Sequence, residues 1–117
     1  MTEKLEGRQY YIATGTFAED VKTITEGKGY ITNHLIVAEE CAELTKATSK
    51  MIRYIDDRVA GKIGEGVYIE LADNILEEAA DVIICIRMLM QMYGFEFADL
   101  DEEVWKKMQL NLKRTRR

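Results

Sequence analysis

The sequence contains no proline, and it has one histidine and two cysteines among its 117 residues. Proline interrupts helices, so its complete absence favours long helices over a turn-rich β fold. A single histidine argues against a metal site of several imidazole ligands, including a di-iron bundle with two Glu-x-x-His pairs. Two cysteines do not make a disulfide framework, and we therefore expect a cytoplasmic protein in a reducing compartment.

Long apolar runs and a signal peptide are also missing. The longest purely apolar stretch is the five residues from Val82 to Ile86, whereas a membrane-spanning helix needs about 20. The opening segment MTEKLEGRQYYIATG lacks the apolar central region of a secretory signal. We expect no membrane partner and no secretion.

Charge is distributed unevenly along the chain. The net charge is −5, but the last twelve residues hold six basic residues and no acidic one. Residues 1–105 therefore carry ten basic against 21 acidic residues. Such an acidic body repels nucleic acid, so we expect no nucleic-acid partner and keep binding through the basic tail as a weaker alternative. The acidic body suits a protein that gathers carboxylates around divalent cations.

Hydrophobic periodicity predicts an all-α fold in a single domain over residues 1–117, in which residues 1–16 form a possible irregular arm. A long antiparallel helix pair with shorter flanking helices should resemble a four-helix bundle. The four helices are expected over Phe17 to about Thr25, Thr32 or Asn33 to about Asp57, about Tyr68 to Tyr93, and about Asp99 onward. Glycines mark the loop over residues 57–67.

The predicted apolar faces exceed what one short chain can cover. Each long helix would span roughly 39 Å at 1.5 Å per residue. The third helix carries a broad apolar face, and the fourth has Leu100, Val104, Met108 and Leu112 on one side with Trp105 beside them. The stripe of the second helix comprises Leu35, Ala38, Ala42, Thr45, Met51, Ile52 and Ile55. We therefore expect a homodimer or homotetramer.

Carboxylates gather on both long helices. Glu39, Glu40 and Glu43 fall within an arc of about 100° on the second helix, and Glu78 and Asp81 share one side of the third. In an antiparallel pair, Glu43 lies level with Asp81, and Glu40 lies about one turn from Glu78. Like charges this close repel, and a hard divalent cation such as Mg²⁺ relieves the repulsion. The plainer interpretation is that these are solvated surface residues or simple ion pairs.

The order of these acidic residues resembles a known pair of motifs. Glu39-Glu40-Cys41-Ala42-Glu43 and then Glu78-Ala79-Ala80-Asp81 are similar to the EExxE and ExxD motifs of the MazG-like nucleotide pyrophosphohydrolases, an all-α superfamily. The resemblance covers residues 30–114 and includes a basic C-terminal segment. The 34 residues between Glu43 and Glu78 exceed the gap in compact members, which leaves the substrate open.

The resemblance implies four Mg²⁺ ligands, with Mn²⁺ as a possible substitute: Glu40, Glu43, Glu78 and Asp81. Glu39 would be a further ligand or the base for water, and Lys107, Asn111 and Arg114 would hold the phosphates or the base of a nucleoside triphosphate. The implied reaction cleaves the bond between the α and β phosphates, giving a nucleoside monophosphate and pyrophosphate without a Ser, Cys or His triad. The alternative is a non-catalytic helical assembly or regulatory module that retains the fold.

Overall fold

The computed structural model describes residues 10–59, 61 and 66–116. Within these residues the chain is helical and contains no strand, which confirms the all-α prediction. A short 3₁₀ helix at Tyr11–Ala13 precedes four α-helices, which are α1 (Gly15–Glu26), α2 (Tyr30–Val59), α3 (Gly66–Tyr93) and α4 (Phe97–Thr115). Residues 1–9 of the expected arm and residues 60 and 62–65 of the expected glycine loop lie outside the described residues. None of the described helices is both long and apolar enough to cross a membrane.

Aromatic contacts join α2 and α3 at both ends. The ring of Tyr30 at the start of α2 lies 6.2 Å from that of Tyr93 at the end of α3. The ring of Tyr54 near the end of α2 lies 6.1 Å from that of Tyr68 near the start of α3. The two long helices therefore run antiparallel along their length.

The starts of α2 and α4 differ from the sequence prediction. Helix α2 begins at Tyr30 rather than at Thr32 or Asn33. Asn33 is buried, and its side-chain amide donates to the Thr25 carbonyl oxygen at 3.0 Å, so it ties the end of α1 to α2 instead of capping.

Helix α4 begins at Phe97 rather than at Asp99, because Glu96 and Asp99 form its capping box. The Glu96 backbone N–H donates to Asp99 Oδ2 at 2.7 Å. Asp99 was expected to be the cap and Glu102 its partner. The structure moves the box three residues toward the N-terminus.

The main core cluster lies between α1 and α3. Phe17 and Val21 of α1 pack with Met88 of α3, and Ile84 is partly buried against them. Thr14 caps α1 by accepting a hydrogen bond from the Phe17 backbone N–H at 3.2 Å. Burial of one face of a short helix holds α1 in place, since helices of this length are marginal alone.

The apolar stripe predicted for α2 is largely its outer face. Leu35, Ile52 and Ile55 are 61%, 62% and 52% exposed. The buried residues of α2 are instead Asn33, Ala47 and Tyr54. Periodicity identified a real stripe but not the side on which α3 packs, because α2 is apolar on two sides. The outer side is uncovered in a single chain.

Helix α4 leaves the other helices after its first turn. Leu100 and Glu103 line a small cavity with Met90 and Phe95, and every described side chain from residue 101 to residue 116 is exposed. The apolar side of α4 therefore faces solvent in the single chain.

We expect Phe17→Ala to lower the free energy of unfolding by about 3–5 kcal/mol, because it empties the centre of the α1–α3 cluster. Ile24→Ala is the matched control on the same helix, since Ile24 is 42% exposed, and it should cost less than about 1 kcal/mol. Urea unfolding of the two variants measures both values. Equal losses would contradict this account of the core.

Candidate metal centre

Three carboxylates from the two long helices converge. One side-chain oxygen each from Glu40, Glu78 and Asp81 lies within 4.8 Å of the other two. Helix α2 supplies Glu40, and α3 supplies Glu78 and Asp81 from positions three residues apart. Glu40 and Glu78 are half-buried, whereas Asp81 is exposed. The cluster is thus open to solvent on one side.

The position of Glu40 follows from a seven-residue series. The three buried residues of α2 are Asn33, Ala47 and Tyr54, and Glu40 fills the remaining place at the same spacing. Residues seven apart are two turns apart and share one side of a helix. Glu40 therefore projects into the seam between α2 and α3.

Glu78 occupies an equivalent series on α3. Leu71, Cys85 and Met92 stand at seven-residue spacing from it, and all three are at least half-buried. The two seams therefore bring one glutamate from each helix face to face. Asp81 lies at the edge of this contact, which explains its exposure.

Burial and the neighbouring carboxylates raise the pKa of Glu40 above its ordinary value. Partial burial is the largest cause, followed by the negative charge of Asp81 and a hydrogen bond with that residue, and then by the charges of Glu78 and Glu43. Within the described chain, no lysine, arginine or histidine forms an ion pair with Glu40, Glu78 or Asp81.

The other two predicted acidic residues lie at the margin. Glu43 is exposed, yet it lies close enough for its charge to raise the pKa of Glu40. Glu40 is the α2 residue that shares a hydrogen bond with Asp81, and the expected level of Glu43 with Asp81 stays a prediction. Glu39 is exposed on α2 and contributes no recorded interaction to the cluster.

The predicted substrate-binding residues stand apart from the carboxylates. Lys107, Asn111 and Arg114 are all exposed on α4, and no described hydrogen bond or ion pair joins them to the cluster. A single chain does not bring the two groups together. Their role stays a prediction.

The two cysteines flank the cluster in different surroundings. Cys85 is buried, whereas Cys41 is exposed. Burial raises the pKa of the Cys85 thiol, and the nearby charge of Glu40 adds to the effect. Cys85 therefore remains a neutral thiol at physiological pH.

A polar aromatic network at one end of the helix pair was not predicted. The Tyr30 hydroxyl donates to that of Tyr93 at 2.9 Å, and the Tyr93 oxygen lies 2.8 Å from His34 Nε2. His34 Nδ1 lies 2.7 Å from the Tyr30 carbonyl oxygen. Because that carbonyl only accepts, Nδ1 carries a proton and donates to it. The partners are 63 residues apart, so no local pattern reveals them.

Comparison of the chain with protein-family models, with curated proteins and with solved structures gave no match. Support for any function therefore comes from the motif residues and from the geometry of the carboxylates.

The raised pKa of Glu40 predicts a stability that depends on pH. The folded state binds this proton more tightly than the unfolded state, so metal-free protein should lose stability as pH rises from the ordinary carboxyl value of 4.5 through the raised value. Glu40→Gln removes this titration. In chelator, the melting temperature of the variant should exceed that of the wild type by a margin that grows as pH rises over that range.

Glu39→Gln is the control for the pH experiment, because it removes one charge from the neighbouring, exposed position on α2. Its melting curve should follow the wild type more closely across the same pH range. A difference between Glu40→Gln and the wild type that does not change with pH would contradict the assigned electrostatics.

Proposed function

We propose that this chain is a Mg²⁺-dependent nucleoside triphosphate pyrophosphohydrolase that releases a nucleoside monophosphate and pyrophosphate. The observation that carries the proposal is the convergence of Glu40, Glu78 and Asp81 without a cationic partner among the described residues. Glu40 belongs to the first acidic motif, and Glu78 and Asp81 belong to the second, with 34 residues between the two motifs. Two distant motifs that meet at one point support a shared site.

The chemistry of the cluster fits a hard divalent cation. Mg²⁺ takes oxygen ligands, and in nucleotide enzymes it binds one or two carboxylates together with water and substrate phosphates. Half-buried Glu40 and Glu78 offer fixed oxygens, and exposed Asp81 leaves a side open for a phosphate chain. Mn²⁺ accepts the same oxygen ligands. Glu43, close by on α2, is proposed as a further ligand.

The residues of the chain would divide the work as follows. The cation supplies neutralisation of the triphosphate charge and polarisation of its phosphorus. Glu40, Glu43, Glu78 and Asp81 hold it, and the exposed carboxylate of Glu39, on the same turn of α2, is proposed to accept the proton of the attacking water. Phosphoryl transfer of this kind asks the protein mainly for position and charge.

Lys107, Asn111 and Arg114 are proposed to contact the phosphates or the nucleobase. That role requires α4 to approach the carboxylates, since α4 leaves the other helices after its first turn. Two uncovered apolar faces, on α2 and α4, support assembly into a homodimer or homotetramer, and a cytoplasmic location remains part of the proposal.

The alternative, a non-catalytic assembly or regulatory module, predicts different surroundings for Asp81. A structural carboxylate at this position should be neutralised by a basic side chain, because an unpaired charge beside a packed seam is costly. Within the described residues no basic side chain forms an ion pair with Asp81. This observation favours a cation site over a structural ion pair.

Product analysis tests the proposed reaction. A panel of nucleoside triphosphates with Mg²⁺ and no added pyrophosphatase should yield pyrophosphate and monophosphate in equal amounts. Chelation should abolish turnover and Mn²⁺ should restore part of it. Orthophosphate and diphosphate as the main products would rule out cleavage between the α and β phosphates.

Asp81→Asn separates the enzyme from the structural module. It should lower the turnover of a triphosphate by at least about 100-fold, because a ligand of the cation is lost. In chelator the same variant should melt no lower than the wild type, since a like charge beside Glu40 disappears. An exposed Asp81 with no part in catalysis predicts unchanged turnover and little change in melting.

Asp73→Asn is the matched control, because Asp73 is exposed on the same helix and lies outside both acidic motifs. It should change neither turnover nor melting. If Asp81→Asn melts far lower yet keeps the wild-type rate, the site assignment is wrong.

A further inference from the structure

The uncovered side of α4 has an apolar centre and, beside it, a charged edge. At 100° per residue, Phe97, Val104 and Met108 fall within a narrow arc, and Leu100 and Leu112 flank it. Phe97, Val104 and Met108 are 59%, 51% and 50% exposed. Helices of this length are marginal in water without packing of an apolar face. Helix α4 therefore needs a partner for this side.

The charges along one edge of that side are placed symmetrically about Trp105, with a positive charge at the position that mirrors each negative one. We call this arrangement the charge palindrome. Glu96, Glu103, Lys107 and Arg114 lie within an arc of about 40° beside the apolar centre. Glu96 and Arg114 stand nine residues before and after Trp105, and Glu103 and Lys107 stand two residues before and after it. The order along the edge is therefore two negative charges followed by two positive charges.

A palindrome of opposite charges is complementary to its own antiparallel copy. When two such helices cross about a twofold axis near Trp105, the same edge of each helix meets. Glu103 then lies level with Lys107 of the second copy, and Glu96 lies level with Arg114 of the second copy. Phe97 comes within one residue, about 1.5 Å along the axis, of the level of Leu112 of the second copy, so the apolar centres meet as well. Charges in these flanking positions set partner choice and orientation between paired helices.

We infer that α4 is a self-recognition helix, which pairs antiparallel with α4 of a second copy of this chain. The inference rests on the exposed apolar side and on the charge palindrome, and it is independent of the proposed chemistry. In a parallel twofold pair this edge would lie against the opposite edge of the second copy, which carries Ala98, Trp105 and Gln109, so Glu103 and Lys107 would meet no opposite charge and the charges favour the antiparallel arrangement. A nucleic-acid partner would not use the glutamates of this edge.

A charge exchange tests the pairing directly. Glu103→Lys and Lys107→Glu each place like charges opposite one another twice in a self-pair. Each variant should therefore raise the dissociation constant of the dimer by about tenfold. Mixing the two variants, one of them tagged, restores both attractive contacts. Native mass spectrometry should then show more heterodimer than random exchange gives, and a chain carrying both changes should self-associate like the wild type.

The matched control is Glu102→Lys mixed with Lys106→Glu. These residues have the same signs and spacing and lie on the side away from the apolar centre. Lys106 lies 3.5 Å from Glu102 and 3.6 Å from Glu103, so Lys106→Glu also shows the effect of losing the ion pair that Glu103 makes within its own helix. Their mixture should exchange at random. Random exchange of the Glu103→Lys and Lys107→Glu variants, or a monomeric wild type at micromolar concentration, would overturn the inference. Assembly through the outer face of α2 alone would give random exchange, so it would be recognised by that same overturning result.

The same variants distinguish this pairing from a substrate role of Lys107. A substrate contact predicts a change in KM for Lys107→Glu that Glu103→Lys in the partner chain does not repair. Recovery of assembly in the mixture depends only on the contact between the two helices. The failure of the nucleotide assay would therefore leave this inference standing.

Discussion

The contact of Glu40 with the α3 carboxylates is the constraint on which the rest of the structure depends. Glu40 stands in the seven-residue series that supplies the buried side of α2, where an apolar residue would pack best. A carboxylate at such a place is costly unless a proton or a cation compensates it. The chain places two further carboxylates beside it, which increases that cost. A bound cation would offset that cost.

The seam around Glu40 is polar at a second point. Asn33, one step earlier in the series, donates to the Thr25 carbonyl, but its side-chain oxygen has no partner within the described part of the chain. Polar residues in the seam of paired helices reduce stability and fix the register of the helices. A fixed register is what carboxylates from two helices need in order to meet.

Much of the architecture follows from local sequence. The absence of proline, the glycine at residue 94 with its positive φ of 71° and the apolar periodicity together predict four helices with nearly the observed ends. The choice of packed side on α2 does not follow from these patterns, because Ile52 and Ala47 are both apolar enough to be buried. Only contact with α3 decides between them. The start of α4 was displaced because Asp99 serves in the capping box from inside the helix.

The candidate site was predictable to a similar degree. Motif spacing identified Glu40, Glu78 and Asp81, and a rough helix register placed them at one height. The register was too coarse to distinguish Glu40 from Glu43 as the neighbour of Asp81, since one turn separates them. The seven-residue series through Tyr54 contains the signal that decides it. The Tyr30, His34 and Tyr93 network could not be inferred, because it depends on contacts across 63 residues.

Aromatic contacts at both ends of the helix pair make the polar seam tolerable. Tyr30 and Tyr93 join one end, and Tyr54 and Tyr68 join the other. Each aromatic pair adds about 0.5–1.5 kcal/mol beyond the area it buries. Between these ends, burial of Glu40 in the seam and the charges of its neighbours raise its pKa. A divalent cation bound there would compete with that proton for the same oxygens.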